Sequence, residues 1–246
     1  MKLIWSQCRA EIVRLLRNPY YVFSSLLMPI MFYIIFTKLV NTGVPDQEAW
    51  QAHYLMSMTT FSVMGSAILT LGIRNVQERS QGWATFMKVT PLPDHLYFFA
   101  KMVGQSVIHI LSVIVIFTVG ALVNNVSLPL MTWLTAGSWI VIASFAFMAL
   151  GTLLGTMKKV DTAVGVGNVI FLGMAITGGM WMPLESFPSL MQSIGKWLPS
   201  HSFTDSAWAI VSGERPELRH IILLLGYTVV FILLSSYIRR KQEAGT

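Results

Sequence analysis

The chain has 246 residues, 54% hydrophobic and 11% charged, with a net charge of +6 and a mean hydropathy of +0.62. Soluble domains carry about 25% charged residues, so the composition excludes an ordinary water-soluble domain and points to a polytopic membrane protein. The basic residues stand at the ends of apolar runs rather than in one patch, which argues against a nucleic-acid partner, and the single cysteine, Cys8, excludes an intrachain disulfide or a cysteine metal cluster.

Residues 1–18 form the first predicted element. At 100° per residue, Ile4, Trp5, Cys8, Ile12, Leu15 and Leu16 fall within an arc of about 120°. Lys2, Gln7, Arg9, Arg14 and Arg17 lie away from it. Such a helix can rest in a membrane interface with its apolar face in lipid; the other reading is a plain charged anchor for the first span. Asn18-Pro19 ends it. The basic start resembles a signal peptide, but the apolar run that follows exceeds an h-region of about 7–15 residues and no A-x-A site follows it. It is read as a retained span.

A span needs roughly 20 mostly apolar residues. Six windows qualify, at about 20–40, 53–73, 97–123, 129–157, 162–182 and 220–238. The chain is therefore expected to be a single all-α transmembrane domain covering 1–246. Between the second and third spans lies a polar loop, 74–96, whose stretch 78–91 is basic and helix-compatible. Glu78 and Arg79 are expected to start a short helix there, Gly82 to permit a bend or close approach, and Thr90-Pro91 to end it. Trp83, Phe86 and Met87 are bulky apolar groups available for docking; a helix that only covers the bundle is the plainer alternative.

Ionisable residues inside a span are costly and mark ion or proton pathways. Here Lys101 sits near the start of the third span, where it can snorkel outward. His109 lies deeper, as a histidine bonded to a neighbouring helix or as a proton relay. No Asp or Glu occurs mid-span. Gly151-x-x-x-Gly155 in the fourth span permits close helix contact, either between subunits or within one. The fifth span carries Gly165, Gly167, Gly173, Gly178 and Gly179. Met174, Met180 and Met182 beside Trp181 offer an adaptable apolar surface for amphipathic cargo, or simple packing.

The segment 183–219 follows. The motif runs from Gly179 through Pro183, Glu185 and Pro188 and continues to Pro199. Pro183 and Pro188, five residues apart, prevent a simple continuing helix, while Leu190, Ile194, Trp197 and Leu198 have helical spacing. A re-entrant or interfacial hairpin fits this pattern, and an ordinary outer loop with one amphipathic helix is the alternative.

Charge orients the spans. With both termini inside, the cytoplasmic segments hold thirteen Lys or Arg (2, 9, 14, 17, 74, 79, 88, 101, 158, 159 and 239–241) against four outside (38, 196, 215 and 219). Protease and hydrolase motifs and a phosphate-binding loop are absent. The five histidines, at 53, 95, 109, 201 and 220, are too dispersed in sequence to read as a metal site. No catalytic, cofactor or metal residues are expected, so uphill transport would draw its energy from another polypeptide.

The Glu-Arg-x-x-Gly…Thr-Pro loop after span two and the Gly-x-x-x-Pro-x-x-x-x-Pro motif after span five, in this order among six spans, resemble the ABC type-2 transporter permeases of bacterial exporters. The resemblance implies a partner ABC ATP-binding subunit that carries ATP and magnesium, and a second permease copy, identical or related. It also implies a place in the bacterial cytoplasmic membrane. It makes Glu78, Arg79, Gly82, Trp83, Phe86, Met87 and Pro91 the coupling element that docks the ATPase. Glu78→Ala is then expected to spare insertion and to uncouple hydrolysis from efflux. The expected cargo is a drug, antibiotic or lipid-like molecule, with antibiotic resistance as one outcome. A secondary transporter, or a non-transporting assembly or sensory subunit, stays open as an alternative.

Overall fold

The computed structural model describes residues 2–17, 19–40, 45–83, 93–182, 184 and 187–244, and these alone are treated below. Their regular structure is entirely helical. In chain order it comprises α1 (Lys2–Leu16), α2 (Pro19–Ile35) running into a π-helical turn (Phe36–Val40), and α3 (Gln47–Gly65). A second π-helical turn (Ser66–Thr70) leads into α4 (Leu71–Ser80), followed by α5 (Asp94–Asn124), α6 (Leu130–Ala143) and α7 (Phe145–Leu154). The remaining helices are α8 (Val160–Thr177), α9 (Ser189–Gly195), α10 (Pro199–Val211) and α11 (Leu218–Ala244).

Five helical runs are long and apolar enough to cross a membrane: Gln47–Ser80, Leu96–Asn124, Leu130–Leu154, Val160–Thr177 and Leu218–Gln242. The shorter apolar stretch Ser25–Val40 belongs to α2 and its π turn. The second predicted span, observed as Gln47–Ser80, is longer than the sequence predicts at both ends. It starts early because the Asp46 carboxylate accepts a hydrogen bond from the Ala49 N–H at 3.1 Å, a side-chain cap. It continues past 73 because nothing breaks a helix until Gly82, whose φ of +75° turns the chain. Glu78 and Arg79 therefore close the spanning helix, and the expectation that they open a separate one is corrected. The fifth span stops short of 182 for a similar reason. Gly179 has φ +82°, and the Met180 N–H returns to the Ala175 carbonyl at 3.0 Å.

The second span is the hub. Its spanning window is 78% buried within the subunit, against 11% for that of α11. Leu55, Met56, Met58, Met64, Ile68 and Leu71 are fully buried along it, where unbranched methionines fill irregular gaps. Close approach is set by glycine on the facing helix: a Cβ added to Gly151 would lie 2.2 Å from the Ala67 carbonyl oxygen, and one on Gly155 2.7 Å from the Asn75 Cβ. Gly151-x-x-x-Gly155 thus packs α7 against α4 and the π turn inside one subunit.

α1 does not lie with its whole apolar arc in lipid. It packs along α5, burying Cys8, Glu11 and Leu15, and leaves Trp5 and Leu16 exposed. Burial follows the i, i+3, i+7 line through Glu11 rather than the centre of the predicted arc. The polar Glu11 is turned inward because a cation waits there.

At the other end of the bundle, the segment after the fifth span folds back inward. α10 buries Ser200, Ser202, Thr204 and Ser206. The Thr204 and Ser206 hydroxyls have side-chain partners, while those of Ser200 and Ser202 have no hydrogen-bond partner among the described residues. The Thr204 and Thr60 hydroxyls are 3.1 Å apart. The Trp208 Nε1 donates to the Ser57 Oγ at 3.0 Å, and the Trp139 Nε1 donates to the Phe203 carbonyl at 3.0 Å. Thr60 lies roughly 20 Å along the helix axis from Asp46, so α10 reaches well into the bundle instead of capping it. α9 keeps Leu190 and Ile194 exposed, as is Trp197 just beyond it. The Arg219 guanidinium sits 4.7 Å from the Trp197 ring centre, a pairing suited to an interface between lipid and water.

Candidate functional site

The end of the bundle that gathers α1, the end of α4 and the start of α5 contains a buried ionic cluster. It arises because three helices each bring polar groups to the same point at helical spacing: Glu11 and Arg14 at i, i+3, Arg74 and Glu78 at i, i+4, and Tyr97 with Lys101 one turn apart. The Glu78 side chain is only 6% exposed and that of Lys101 3%, and the two are in direct ionic contact. Lys101 also donates to the Asn75 Oδ1 at 2.7 Å, and its Nζ lies 4.6 Å from the Tyr97 ring centre. The expectation that Lys101 snorkels outward is corrected, because a buried carboxylate outcompetes water for it.

Glu78 collects further donors. The Tyr97 hydroxyl donates to Oε2 at 2.8 Å, and the Arg14 Nη1 donates to Oε1 at 2.8 Å. The Arg74 Nε stands 3.6 Å from Oε1, while its Nη2 donates to the Glu11 Oε2 at 3.1 Å. Two carboxylates thus face three cations, and both carboxylates are buried. In a low-dielectric setting an uncompensated buried charge costs several kcal/mol, so both carboxylates need these cations, although the Arg74 Nε and Nη1 make no hydrogen bond among the described residues. The cluster fastens α1, α4 and α5 to one another close to where the described part of α4 ends and α5 begins.

Arg79 fastens a fourth element. Its guanidinium donates to the Met157 carbonyl beyond α7 and to the Gln242 Oε1 at 3.1 Å, and the Gln242 Nε2 donates to the Thr156 carbonyl at 3.0 Å. Arg239 lies over the Phe98 ring at 4.0 Å. Trp83, exposed, stands 5.7 Å from the Arg14 guanidinium carbon. A side chain on Gly82 would meet open space, so this glycine serves the turn and not a close approach. Phe86, Met87 and Pro91 lie outside the described residues.

The deep polar groups form a second, uncharged thread. His109 is fully buried, with Nε2 3.1 Å from the Gln105 Nε2 and Nδ1 2.9 Å from the Ser144 hydroxyl. Gln105 in turn donates to the Ser66 Oγ at 2.7 Å, inside the π-helical turn. Ser144 also donates back to the Val141 carbonyl at 2.7 Å, at the break between α6 and α7. Both ring nitrogens of His109 face side-chain partners, which is the arrangement of a helix-bridging histidine.

Of the residues expected to line a cargo route, Met180, Trp181 and Met182 border one small pocket with Trp50, His53 and Trp208, and Met174 is not among its lining residues. Met180 is buried, Trp181 packs edge-on to Phe32 at 5.6 Å and against Phe61 at 5.7 Å, and Met182 is exposed. Met174 is half-buried on α8. In the outer segment, Pro188 precedes α9 and Pro199 opens α10 at its first turn, where a missing N–H does no harm. Pro183 and Glu185 lie outside the described residues. A cavity of about 840 Å³ opens nearby, walled by Asp46, Glu48, Trp50, His53, Asp205 and Trp208, with the His53 and Trp208 rings stacked at 4.0 Å.

The family model described as ABC-2 family transporter protein matches residues 33–237. A protein of Bacillus subtilis (strain 168), named "Putative transport permease YvfS", is 57% identical over 244 residues, covering 99% of this chain and all of that one. The chain belongs to the ABC-2 transporter family. It is a multi-pass membrane permease, and this family implies an ABC ATP-binding partner. The sequence resemblance rested on two motifs among six spans, Glu78-Arg79-x-x-Gly82 with Thr90-Pro91, and Gly179 with Pro183 and Pro188. What it missed is the set around Glu78: Glu11, Arg14, Arg74, Asn75, Tyr97 and Lys101. The i, i+3 and i, i+4 charge spacings were visible, but their convergence was not, because α1 and α5 reach Glu78 from 64 residues before it and 23 after it.

Proposed function

We propose that this ABC-2 permease is the membrane half of an ATP-driven exporter, with both termini and the loop after α4 facing the cytoplasm of a bacterium. A separate ATPase, holding ATP and magnesium, docks on that loop, and a second permease copy, identical or related, completes the translocation unit. The observation that carries this reading is the Glu78 cluster. It ties α1, α4 and α5 together by ion pairs, which supports their moving as one body when the 84–92 segment is pushed. Alternating access then follows from ATPase closure, with the states biased by contacts at that interface.

An amphipathic cargo, such as a drug, antibiotic or lipid-like molecule, fits best. An apolar groove of about 650 Å³ runs between α5 and α6, lined by Val113, Ile114, Phe117, Trp133, Leu134 and Gly137. An entry on the lipid-facing side suits molecules that partition into lipid first. The secondary-transporter alternative gains nothing from His109, whose ring nitrogens are engaged on both sides.

The test is co-expression with an ABC ATP-binding subunit, joint purification, and reconstitution into proteoliposomes with a panel of amphipathic dyes. The reading requires ATP-dependent dye flux that disappears when the ATPase lysine of its phosphate-binding loop is replaced. Flux driven by a proton or sodium gradient without ATP would contradict it.

A further inference from the structure

His201 and Asp205 lie four residues apart on α10, so both point from the same face of that helix. α11 begins at Leu218 and brings His220 onto that face in its first turn. One ligand atom from each of the three side chains lies within 4.8 Å of the other two. The His220 Nδ1 is 3.5 Å from the Asp205 Oδ2 and 3.2 Å from the Ser206 hydroxyl. The His201 and His220 rings meet edge to face at 5.9 Å.

We propose that His201, Asp205 and His220 bind a divalent transition-metal ion of the zinc class, independently of the nucleotide-driven cycle. Two imidazole nitrogens and one carboxylate oxygen are a borderline donor set that suits zinc, cobalt or nickel rather than calcium or magnesium. A tetrahedral zinc site spaces its ligand atoms roughly 3.3 Å apart, so rotamer adjustment of about 1–1.5 Å closes the set. His220 is buried and fixes the inner side of the site, while the Asp205 side chain is partly exposed. The Ser206 hydroxyl contacts the same His220 Nδ1 that faces Asp205, so a metal bound through Nδ1 takes the place of that hydrogen bond. Asp205 also walls the 840 Å³ cavity, so the fourth coordination position can be reached from that space. Three protein ligands with one open position is the pattern of an accessible site rather than a closed structural one. A bound ion would link α10 to α11, the re-entrant helix to the last span.

The experiment uses full-length, tag-free permease in nanodiscs, titrated with ZnCl₂ by calorimetry and with CoCl₂ by visible absorption. Expected are one zinc per chain, a rise in Tm on zinc addition, and a cobalt spectrum with the intense bands of four-coordinate geometry. His201→Ala and Asp205→Asn should each weaken zinc binding by about tenfold or more and abolish the Tm rise. Both positions are partly exposed, so these variants should stay folded, unlike His220→Ala. Absence of saturable zinc binding by the wild type overturns the proposal, leaving a plain His220–Asp205 contact. Unchanged affinity in both variants overturns it equally.

Discussion

Arg14 of α1 donates to Glu78 of α4 across 2.8 Å, joining residues 64 apart in sequence. Arg14 reaches in from solvent, with its side chain 46% exposed, while Glu78 is held inside by Lys101 as well. The two ends of this bond therefore differ in energetic weight. Replacing Arg14 by Ala should cost about 0–1 kcal/mol, the range of an exposed pair. Replacing Glu78 by Ala strands Lys101 and Arg74 and should cost about 3–5 kcal/mol. Thermal unfolding in detergent checks both.

The Glu78–Lys101 pair should show strong coupling. Lys101→Met alone leaves a buried carboxylate short of its main partner, whereas Glu78→Gln with Lys101→Met removes both charges together. The double variant should be more stable than the sum of the single losses predicts, by more than about 1 kcal/mol. Additive losses would mean that the two groups do not share one desolvated site.

Gly151→Ala forces a Cβ to within 2.2 Å of the Ala67 carbonyl oxygen and should destabilise by about 1–3 kcal/mol. Gly165→Ala on α8 meets open space and should be neutral, or gain about 0.4–1 kcal/mol by stiffening the unfolded chain. Comparing the Tm of the two variants separates packing glycine from incidental glycine.

Much of this fold was legible because a membrane asks simple things of a sequence. Lipid demands long apolar runs, and Asn18-Pro19, Gly82 and Gly178-Gly179 punctuate them. The inward turn of Glu11 and the burial of Lys101 were not legible, since hydropathy treats each charge as a liability and cannot see that its partner lies on another helix. The same limit hid the grouping of His201, Asp205 and His220, whose last member follows a chain reversal between α10 and α11. In the Met174–Met182 stretch the Gly179 turn ends the helix, and Met180, Trp181 and Met182 border one small pocket that Met174 does not line.

Arg79 joins α4 to the C-terminal part of α11 through Gln242. Arg79→Ala removes a charge-assisted hydrogen bond worth about 1.5–3 kcal/mol and should release that last stretch. Hydrogen exchange of the peptide covering 236–244 should accelerate, while peptides from α3 stay protected.

His109→Gln should lower stability, because it disturbs buried partners at about 1–3 kcal/mol per unsatisfied group. It should nevertheless leave ATP-dependent dye flux in place in whatever fraction stays folded. Loss of flux with stability intact would make His109 part of the transport chemistry instead.

The central claim is that the Glu78 cluster transmits ATPase motion into the spans. It is tested most directly by ATP hydrolysis and dye flux measured on the same proteoliposomes, comparing wild type with Glu78→Gln in complex with the ATPase. The account predicts that the Gln variant, isosteric and assembled, still hydrolyses ATP while flux per ATP falls about tenfold or more, the equivalent of roughly 1.4 kcal/mol of lost coupling. Wild-type flux per ATP in that variant would contradict it.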